Sequence, residues 1–583
     1  MCGILGIYKY CSITKNDIDS VLKGAEIIKH RGPDYMGVWS NSNISLAHDK
    51  LSILDFSKES NQPIELENVV VAFNGEIYNY KHLIKKHNLS NSGIDAHVIA
   101  RLYEKMGMDC IYEIEGAFAI SIYDKRSEKL YLVRDRVGVK PILYRYISDR
   151  CFYFSSEAKA FEAFDDISLK VNKKRIAADL VCWFWADKYE SYFEDIYHVR
   201  AGEYICIDKG QLTKHTYWNI PHNVRDVRNE ELKDALEKAT LDRLQGSAKY
   251  ATLLSGGLDS SLLTGIVASN VDRVTSYTIC YDDSENNIDL DYAKEVVDMY
   301  SNIDHKINYV SKGEITEEFV RRVTYHLEEV VWDKVYCSMY TNYKRAVEDG
   351  YRIIINGQGS DECLVGYYND FAHYAFSHEQ LTSPNFMLDY FIDSNIVDGS
   401  ILNKESLGEI KDYLGDSLRN NLPDNLSEYS SKDAVAYWAM KTYLQTNLVQ
   451  EDRMSMANSC ECRVPFTNYK FVELAFSLVG NKKVVGTNEK APLKNIGKEY
   501  LPVSIVNRQK QAFVNPKESY NAIAFDYIKK NKDKILQSEV FKYVFDEGFL
   551  ETIDKCDFGF NNELAWKVMA ISLFEDVFNR KKV

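Results

Sequence analysis

The sequence predicts two unlike folded halves: an α+β domain over residues 1–210 and an α/β domain over residues 230–583, the last part of it mostly helical. Three observations predict this. Up to about residue 205, short β-rich runs at 69–73, 117–123 and 130–133 follow one another without strand–helix–strand alternation, the pattern of a layered α+β arrangement. From Ala251 onward strand-like and helix-like runs alternate, which builds a parallel sheet with helices on both faces. Between them residues 211–229 are polar, contain Pro221 and lack periodicity, so they read as a linker. At about 150 residues per domain, 583 residues leave room for about four units or for two large enzyme domains.

Taken in order, residues 17–29 place Ile18, Val21, Leu22, Ala25 and Ile28 at helical spacing. Residues 124–129 (DKRSEK) separate two strands in the manner of a hairpin loop. In the second half a strand over 251–254, a glycine turn, a helix over 260–268, a strand over 274–280, a helix over 290–300 and a strand over 352–356 follow. Beyond about Tyr367 the chain is rich in Tyr and Leu and reads as helix.

Composition narrows the function classes. Hydrophobic residues at 45% and charged residues at 27% are ordinary globular usage, enough to bury large cores. The net charge of −15 lacks the basic footprint that nucleic acid demands, so no nucleic-acid partner is expected. The 12 cysteines include no C-x-x-C pair, which fits reduced thiols; Cys460 and Cys462 alternate across a strand and read as core fillers. No run of ~18 apolar residues is present, and MCGILGIYKY is too short for a signal peptide. No membrane association and a cytoplasmic location are expected.

Cys2 becomes the first residue once Met1 is removed. An N-terminal thiol lies beside its own α-amine, whose ordinary pKa of about 7.7–8.0 suits a general base near neutral pH, so one residue supplies both nucleophile and base. Asn74-Gly75 follows the apolar run VVVAF. Such a pair is most often a tight hairpin turn; it also presents a side-chain amide and a backbone N–H in one direction, as an oxyanion hole requires. Arg31-Gly32-Pro33-Asp34 reads as a charged turn or as part of the same constellation.

MCGILGIY, HRGPD, FNGEIYN, Gly116-Ala117-Phe118-Ala119 and RDRVGVKP stand in the order and spacing of the class II glutamine amidotransferase domain, an N-terminal-nucleophile hydrolase sandwich, which this half resembles. The resemblance implies that Cys2 attacks the side-chain amide of glutamine, forms a thioester and releases ammonia. It further implies that Asn74 and Gly75 steady the oxyanion and that Glu76 and Asp95 hold the glutamine α-ammonium. The pattern departs at Lys50, where an arginine would clamp the α-carboxylate: lysine keeps the charge and loses the two-point fork, so weaker glutamine binding is expected. It departs again at His97, which takes the place of a glutamate and receives no role.

In the second half Ser255-Gly256-Gly257-Leu258-Asp259-Ser260-Ser261 follows a strand and opens a helix, where glycines admit an anion to the backbone and the helix N-terminus attracts it. The chain has no G-x-x-x-x-G-K-[ST] loop. The S-G-G-x-D-S arrangement resembles the pyrophosphate loop of ATP pyrophosphatases, which form AMP esters. Asn356-Gly357-Gln358-Gly359-Ser360-Asp361-Glu362 follows the next strand, so Asp259 and Asp361, at the ends of neighbouring strands, would hold Mg2+ on pyrophosphate. With EDRMSMA (451–457), ECRVPF (461–466) and Lys490, these segments are similar to the asparagine synthetase family, glutamine-hydrolysing, along nearly the whole chain. The resemblance implies ATP as cosubstrate, an acyl-adenylate intermediate, Lys490 neutralising departing pyrophosphate, nucleotide contacts at Leu254, Ser255, Gly256, Gly257, Ser260, Ile279 and Gly357, and an internal ammonia tunnel. Paired domains of this size often dimerise, so a homodimer is an expectation.

The acceptor side matches less well. Gln358 stands where the family carries Glu, and an amide has no charge and cannot act as a base. The E-P-x-x-D-P-S pattern appears as Glu329 to Asp333 with both prolines gone. Aspartate is therefore the first expectation for the acceptor, with another carboxylate, such as a uronic acid of a surface polysaccharide, as the alternative. A non-catalytic paralogue that binds glutamine or nucleotide is the reading from a different class; Lys50, His97 and Gln358 favour it and Cys2, Asn74, Asp259, Asp361 and Lys490 oppose it.

Overall fold

The structure, a computed structural model, describes residues 2–89, 94–148, 150–183, 185–281, 287–370, 374, 376–383, 385, 389–391, 399–510, 517–555 and 562–579. Met1, whose removal the N-terminal chemistry requires, and Cys556 lie outside these residues.

The N-terminal half is built on two six-stranded antiparallel sheets. One runs, edge to edge, Tyr197–His198, Leu143–Ile147, Cys151–Ser155, Cys2–Lys9, Ile44–Lys50 and Tyr35–Ser40. The other runs Gln211–Thr216, Glu203–Asp208, Lys129–Arg134, Gly116–Asp124, Val69–Ile77 and Ile64–Glu65. Strand alternation explains the layering. Val70 and Ala72 point one way and pack with Ile4, Leu46 and Phe154 of the first sheet. Val69, Val71 and Phe73 point the other way and cover Val98, Ile99 and Leu102 of helix Asp95–Met106. On the outer face of the first sheet, helix Lys15–Ile28 buries Val21, Ala25 and Ile28, and its start is fixed by a capping box between Thr14 and Asp17. The result is a four-layer sandwich with a helix outside each sheet.

Two expectations change here. Gln211–Thr216 pairs along its whole length with Glu203–Asp208, so the first part of the expected linker over 211–229 belongs to the second sheet. Its side chains are nearly all polar and exposed because it is an edge strand, which hides it from a periodicity reading. Asn74-Gly75 is not a hairpin turn: both residues lie inside strand Val69–Ile77, opposite Ala119 and Phe118. Gly75 takes φ +137° there, and a Cβ would meet the Ala117 carbonyl oxygen at 2.0 Å, so only glycine fits.

The second half carries a five-stranded, all-parallel sheet in the order Ile303–Val310, Val274–Tyr281, Tyr250–Leu253, Ile353–Ile355 and Glu461–Arg463. The chain winds outward from Tyr250–Leu253 to one edge, then restarts on its other side at Ile353–Ile355. That reversal is a topological switch point, where strand ends leave a crevice for a ligand. Strand Ile303–Val310, half-exposed along the edge, escapes the sequence pattern because polar residues interrupt it. Helices make up most of the remainder, as expected. Among the described residues no helix is long and apolar enough to cross a membrane.

Candidate active sites

The first site lies at the start of strand Cys2–Lys9. Cys2 is paired in register with Lys50, and its backbone nitrogen donates to Asn74 Oδ1 at 2.9 Å. Asn74 is fully buried, and among the described residues its Nδ2 has no hydrogen-bond partner. A buried amide donor without an acceptor costs about 1–3 kcal/mol. The Oδ1 of the same amide meets the Cys2 nitrogen, so the donor is held at the start of that strand. Burial pushes the Cys2 thiol above its ordinary value, with Glu461 and Asp95 adding to the rise.

Cys2, Lys50, Gly75, Glu76 and Asp95 line one cavity of about 50 Å³. Lys50 Nζ donates to Ser57 O at 2.9 Å and Asn61 Oδ1 at 3.2 Å, which holds the ammonium at the cavity wall. Asp95 accepts from Ala96 N at 2.9 Å and Ile77 N at 3.3 Å, and burial pushes its carboxyl up to about 6. Glu76 accepts a hydrogen bond from Arg463 of the second half, and burial raises its carboxyl against that guanidinium's pull. His97, given no role from the sequence, meets Glu59 O at 3.1 Å and so ties helix Asp95–Met106 to the loop that holds Lys50.

Arg31 is no solvated turn residue. It is fully buried, donates from Nε to Cys2 O at 3.1 Å, and pairs with Glu157 at 2.8 Å and Asp452 at 2.9 Å. Arg453 meets Glu157 at 3.1 Å and Glu328 at 2.9 Å, extending one buried ionic network from the cysteine strand into the second half. Gly32 permits this close approach, since a Cβ would lie 2.1 Å from Asp49 O.

The second site occupies the switch point. Gly256, at φ +71°, turns the chain after Tyr250–Leu253, and helix Leu258–Asn270 begins with Asp259 in its first turn. Ser260 Oγ accepts from Ser255 N at 3.1 Å and closes the loop. Gly357 abuts Asp259, with Ser260 N 3.2 Å from where a Cβ would stand, so the two strand-end loops touch. Leu254, just past the end of Tyr250–Leu253, is fully buried, and Ile279 is half-buried on Val274–Tyr281.

Lys490 joins the acids. Its Nζ lies 2.6 Å from both Asp259 and Asp361 and donates to Ser360 Oγ at 3.0 Å. Burial works against its charge, but the two carboxylates hold it above its ordinary value. Burial also opposes the Asp361 charge, yet Lys490 and Lys510 bring that carboxyl down to about 2. Among the described residues Asp259 Oδ1 is buried without a partner, an acceptor suited to a cation. Gly366 makes the pairing sterically feasible: a Cβ there would lie 2.0 Å from Asp361 Oδ1 and 2.2 Å from Lys490 Cε.

Toward the expected acceptor pocket, Gln358 is half-buried, whereas Glu329 is buried against Lys188 at 2.7 Å and Gln450 at 3.2 Å. Glu329 therefore does not face an open pocket with a free charge.

The structure brings together Cys2, Lys50, Asn74, Gly75, Glu76 and Asp95 at one site, and Ser255, Gly256, Gly257, Asp259, Ser260, Gly357, Asp361 and Lys490 at the other. Sequence reasoning missed Arg463 and Lys510 as site residues. Lys510 lies 2.6 Å from Asp361 and 3.6 Å from the centre of the Tyr367 ring. Lys510 is far in the chain from Asp361, and Arg463 from Glu76, and no spacing signals these pairs. Arg463 also ends the strand paired with Ile353–Ile355, so the residue that meets Glu76 belongs to the parallel sheet of the second half.

Two family descriptions match consecutive parts of the chain: a glutamine amidotransferase domain over residues 1–218 and asparagine synthase over residues 231–575. The glutamine-hydrolysing asparagine synthetase 2 of Bacillus subtilis is 27% identical, over 93% of this chain and 76% of its own. Asparagine synthetase B of Escherichia coli is 26% identical over 88% and 82%, and an asparagine synthetase 2 of Oryza sativa subsp. japonica 26% identical over 88% and 77%.

Proposed function

This chain belongs to the asparagine synthase family and is a glutamine-dependent carbon–nitrogen ligase, and from that premise we propose that it converts aspartate to asparagine with Cys2 and Lys490 at its two reacting centres. The observation that carries this reading is Lys490 held between Asp259 and Asp361 at the switch point of the parallel sheet.

In the processed chain the α-amine of Cys2 takes the thiol proton, the sulfur attacks the glutamine amide carbon, and Asn74 Nδ2 with the Gly75 N–H stabilises the oxyanion. The amine returns the proton to the leaving nitrogen as ammonia departs, and water then hydrolyses the thioester to glutamate. Lys50 binds the glutamine α-carboxylate; Asp95 binds its ammonium, while Arg463 holds Glu76 in the same wall.

At the second site Ser255, Gly256, Gly257 and Ser260 cradle the ATP phosphates at the helix N-terminus. Aspartate's side-chain carboxylate attacks the α-phosphorus, pyrophosphate leaves, and ammonia attacks the acyl-adenylate to give the amide and AMP. Lys490 supplies a fixed positive charge where pyrophosphate departs. Asp259 and Asp361 would hold Mg2+, which when bound neutralises phosphate charge; the unpartnered Asp259 Oδ1 fits that role. Ammonia delivered inside the chain is supported by Arg463, which joins the wall of the first site to the parallel sheet that carries the second.

A second acceptor reading is favoured by the neutral Gln358 and by Glu329 being paired with Lys188: a carboxylate without an ammonium, such as a uronic acid. Incubating the chain with glutamine, ATP, Mg2+ and either aspartate or glucuronate, with amide and AMP read by mass spectrometry, decides between them. Asparagine with one AMP per amide supports the first reading; glucuronamide alone supports the second; glutamate release with neither amide refutes both.

A further inference from the structure

A third polar cavity, of about 170 Å³, lies where the two halves meet, and none of Cys2, Asn74, Asp259, Asp361 or Lys490 is among its walls. His198, Arg200 and Glu203 line it from the N-terminal half, and Tyr437, Lys441 and Gln445 from the second. Its room is some five times the volume of a liquid water, about 30 Å³, which suits a solute of roughly ten non-hydrogen atoms or fewer.

Most of the charge around it is already paired. Arg134 donates to the carbonyls of Gly138, Lys140 and Val199. Arg200 pairs with Asp187, its Nη1 at 3.0 Å, and Lys188 with Glu329. Besides the exposed Asp424, four groups are left over among the described residues. Lys441 Nζ has no acceptor among the described residues and meets only the Tyr437 ring, 5.7 Å from its centre. Glu203 Oε1, Gln445 Oε1 and His198 Nδ1 are buried without partners, in side chains only 7%, 5% and 5% exposed. Each such atom costs about 1–3 kcal/mol unless something fills it.

The unfilled set selects a ligand by its chemistry. An inorganic anion would satisfy Lys441 and leave the Glu203 and Gln445 oxygens empty. A metal ion would be repelled by Lys441. A small molecule with both an ammonium and a carboxylate satisfies the two charged ones, its carboxylate on Lys441 and its ammonium on Glu203. We propose that this cavity is a binding site for a free α-amino acid, separate from both active sites and framed by Lys441, Glu203, Gln445 and His198. The protonation of the empty site agrees. Burial lowers the Lys441 amine to about 8, with Arg200 adding to the effect, and burial raises the Glu203 carboxyl. A zwitterion would reverse both.

The test is calorimetric titration of the full chain, without ATP, with L-asparagine, L-glutamate and glycine as probes and inorganic phosphate as control. It is run on the unaltered chain and on Lys441→Met, Glu203→Gln and Lys50→Met. The expected result is an amino-acid binding event weakened at least tenfold in Lys441→Met and in Glu203→Gln and still present in Lys50→Met, which removes only the share of glutamate held in the glutamine pocket. Binding lost only in Lys50→Met belongs to the glutamine pocket and overturns the proposal, as does binding of phosphate alone or of no probe. Should Glu203→Gln melt early by circular dichroism, Lys441→Met decides, and if that variant too unfolds early, Lys441→Gln, which removes the charge and keeps a polar side chain, is substituted and the same tenfold weakening is required.

Discussion

Replacing Arg463 by methionine should destabilise the chain and impair glutamine hydrolysis together, although Arg463 is 387 positions from Glu76. The guanidinium is fully buried. One nitrogen donates to Glu76, Nε donates to Glu461 at 2.8 Å, and Nη1 donates to Gln245 O at 2.7 Å. Methionine roughly keeps the volume and leaves two buried carboxylates without their cation. Removing one partner of a buried pair costs about 3–5 kcal/mol, a large share of the about 5–15 kcal/mol that holds a typical domain folded. Glu76→Gln alone should cost less, about 1–3 kcal/mol, because the amide still accepts a hydrogen bond. The double variant should then be less destabilised than the sum of the singles by at least about 1 kcal/mol, since the uncompensated Glu76 charge is gone. Urea unfolding followed by far-UV circular dichroism gives the cycle, and glutamate release gives the glutamine KM, expected to rise in Arg463→Met. Costs that add within about 0.5 kcal/mol would refute a direct ion pair between the halves.

Asn74→Ala removes the buried amide donor and should lower the kcat of glutamine hydrolysis by about 10²–10³, while alkylation of Cys2 by iodoacetamide continues; a loss under tenfold in steady-state assay contradicts the oxyanion role. Lys490→Met should abolish AMP formation and leave glutamate release within about threefold of the unaltered chain, because the two sites lie on different sheets; equal loss of both, measured in parallel, counts against the division of labour. Gly366→Ala should separate Asp361 from Lys490 and reduce AMP formation at least tenfold, since its Cβ has no room beside either side chain; unchanged AMP release disproves the packing argument. Asp49 supplies a pH test. Both its carboxylate oxygens are unpartnered, and burial pushes it up from 3.8 to about 7. A raised carboxyl stabilises the fold fully below pH 3.8 and loses that contribution as pH climbs through about 7, by at most about 4 kcal/mol. Asp49→Asn should therefore gain on the unaltered chain more at pH 8 than at pH 5 in urea unfolding; an equal difference at both pH values speaks against the shift.

The sequence by itself determined the layered α+β half, the parallel α/β half and the residue types of both reacting centres, because these are local matters. Strand alternation, glycine at turns, a second-position cysteine and a glycine loop opening a helix are all read within a few residues of one another. Tertiary structure decided the rest, since contacts between distant segments leave no spacing to read. Gln211–Thr216 looked like a linker because an exposed edge strand has no apolar face, and Asn74-Gly75 looked like a turn because only pairing with Gly116–Asp124 holds Gly75 at positive φ inside a strand. Arg463 reaching Glu76, Lys510 reaching Asp361, and Glu329 neutralised by Lys188 each join residues more than a hundred positions apart. Burial then sets which of those charges must be matched, and burial exists only once the two halves have packed.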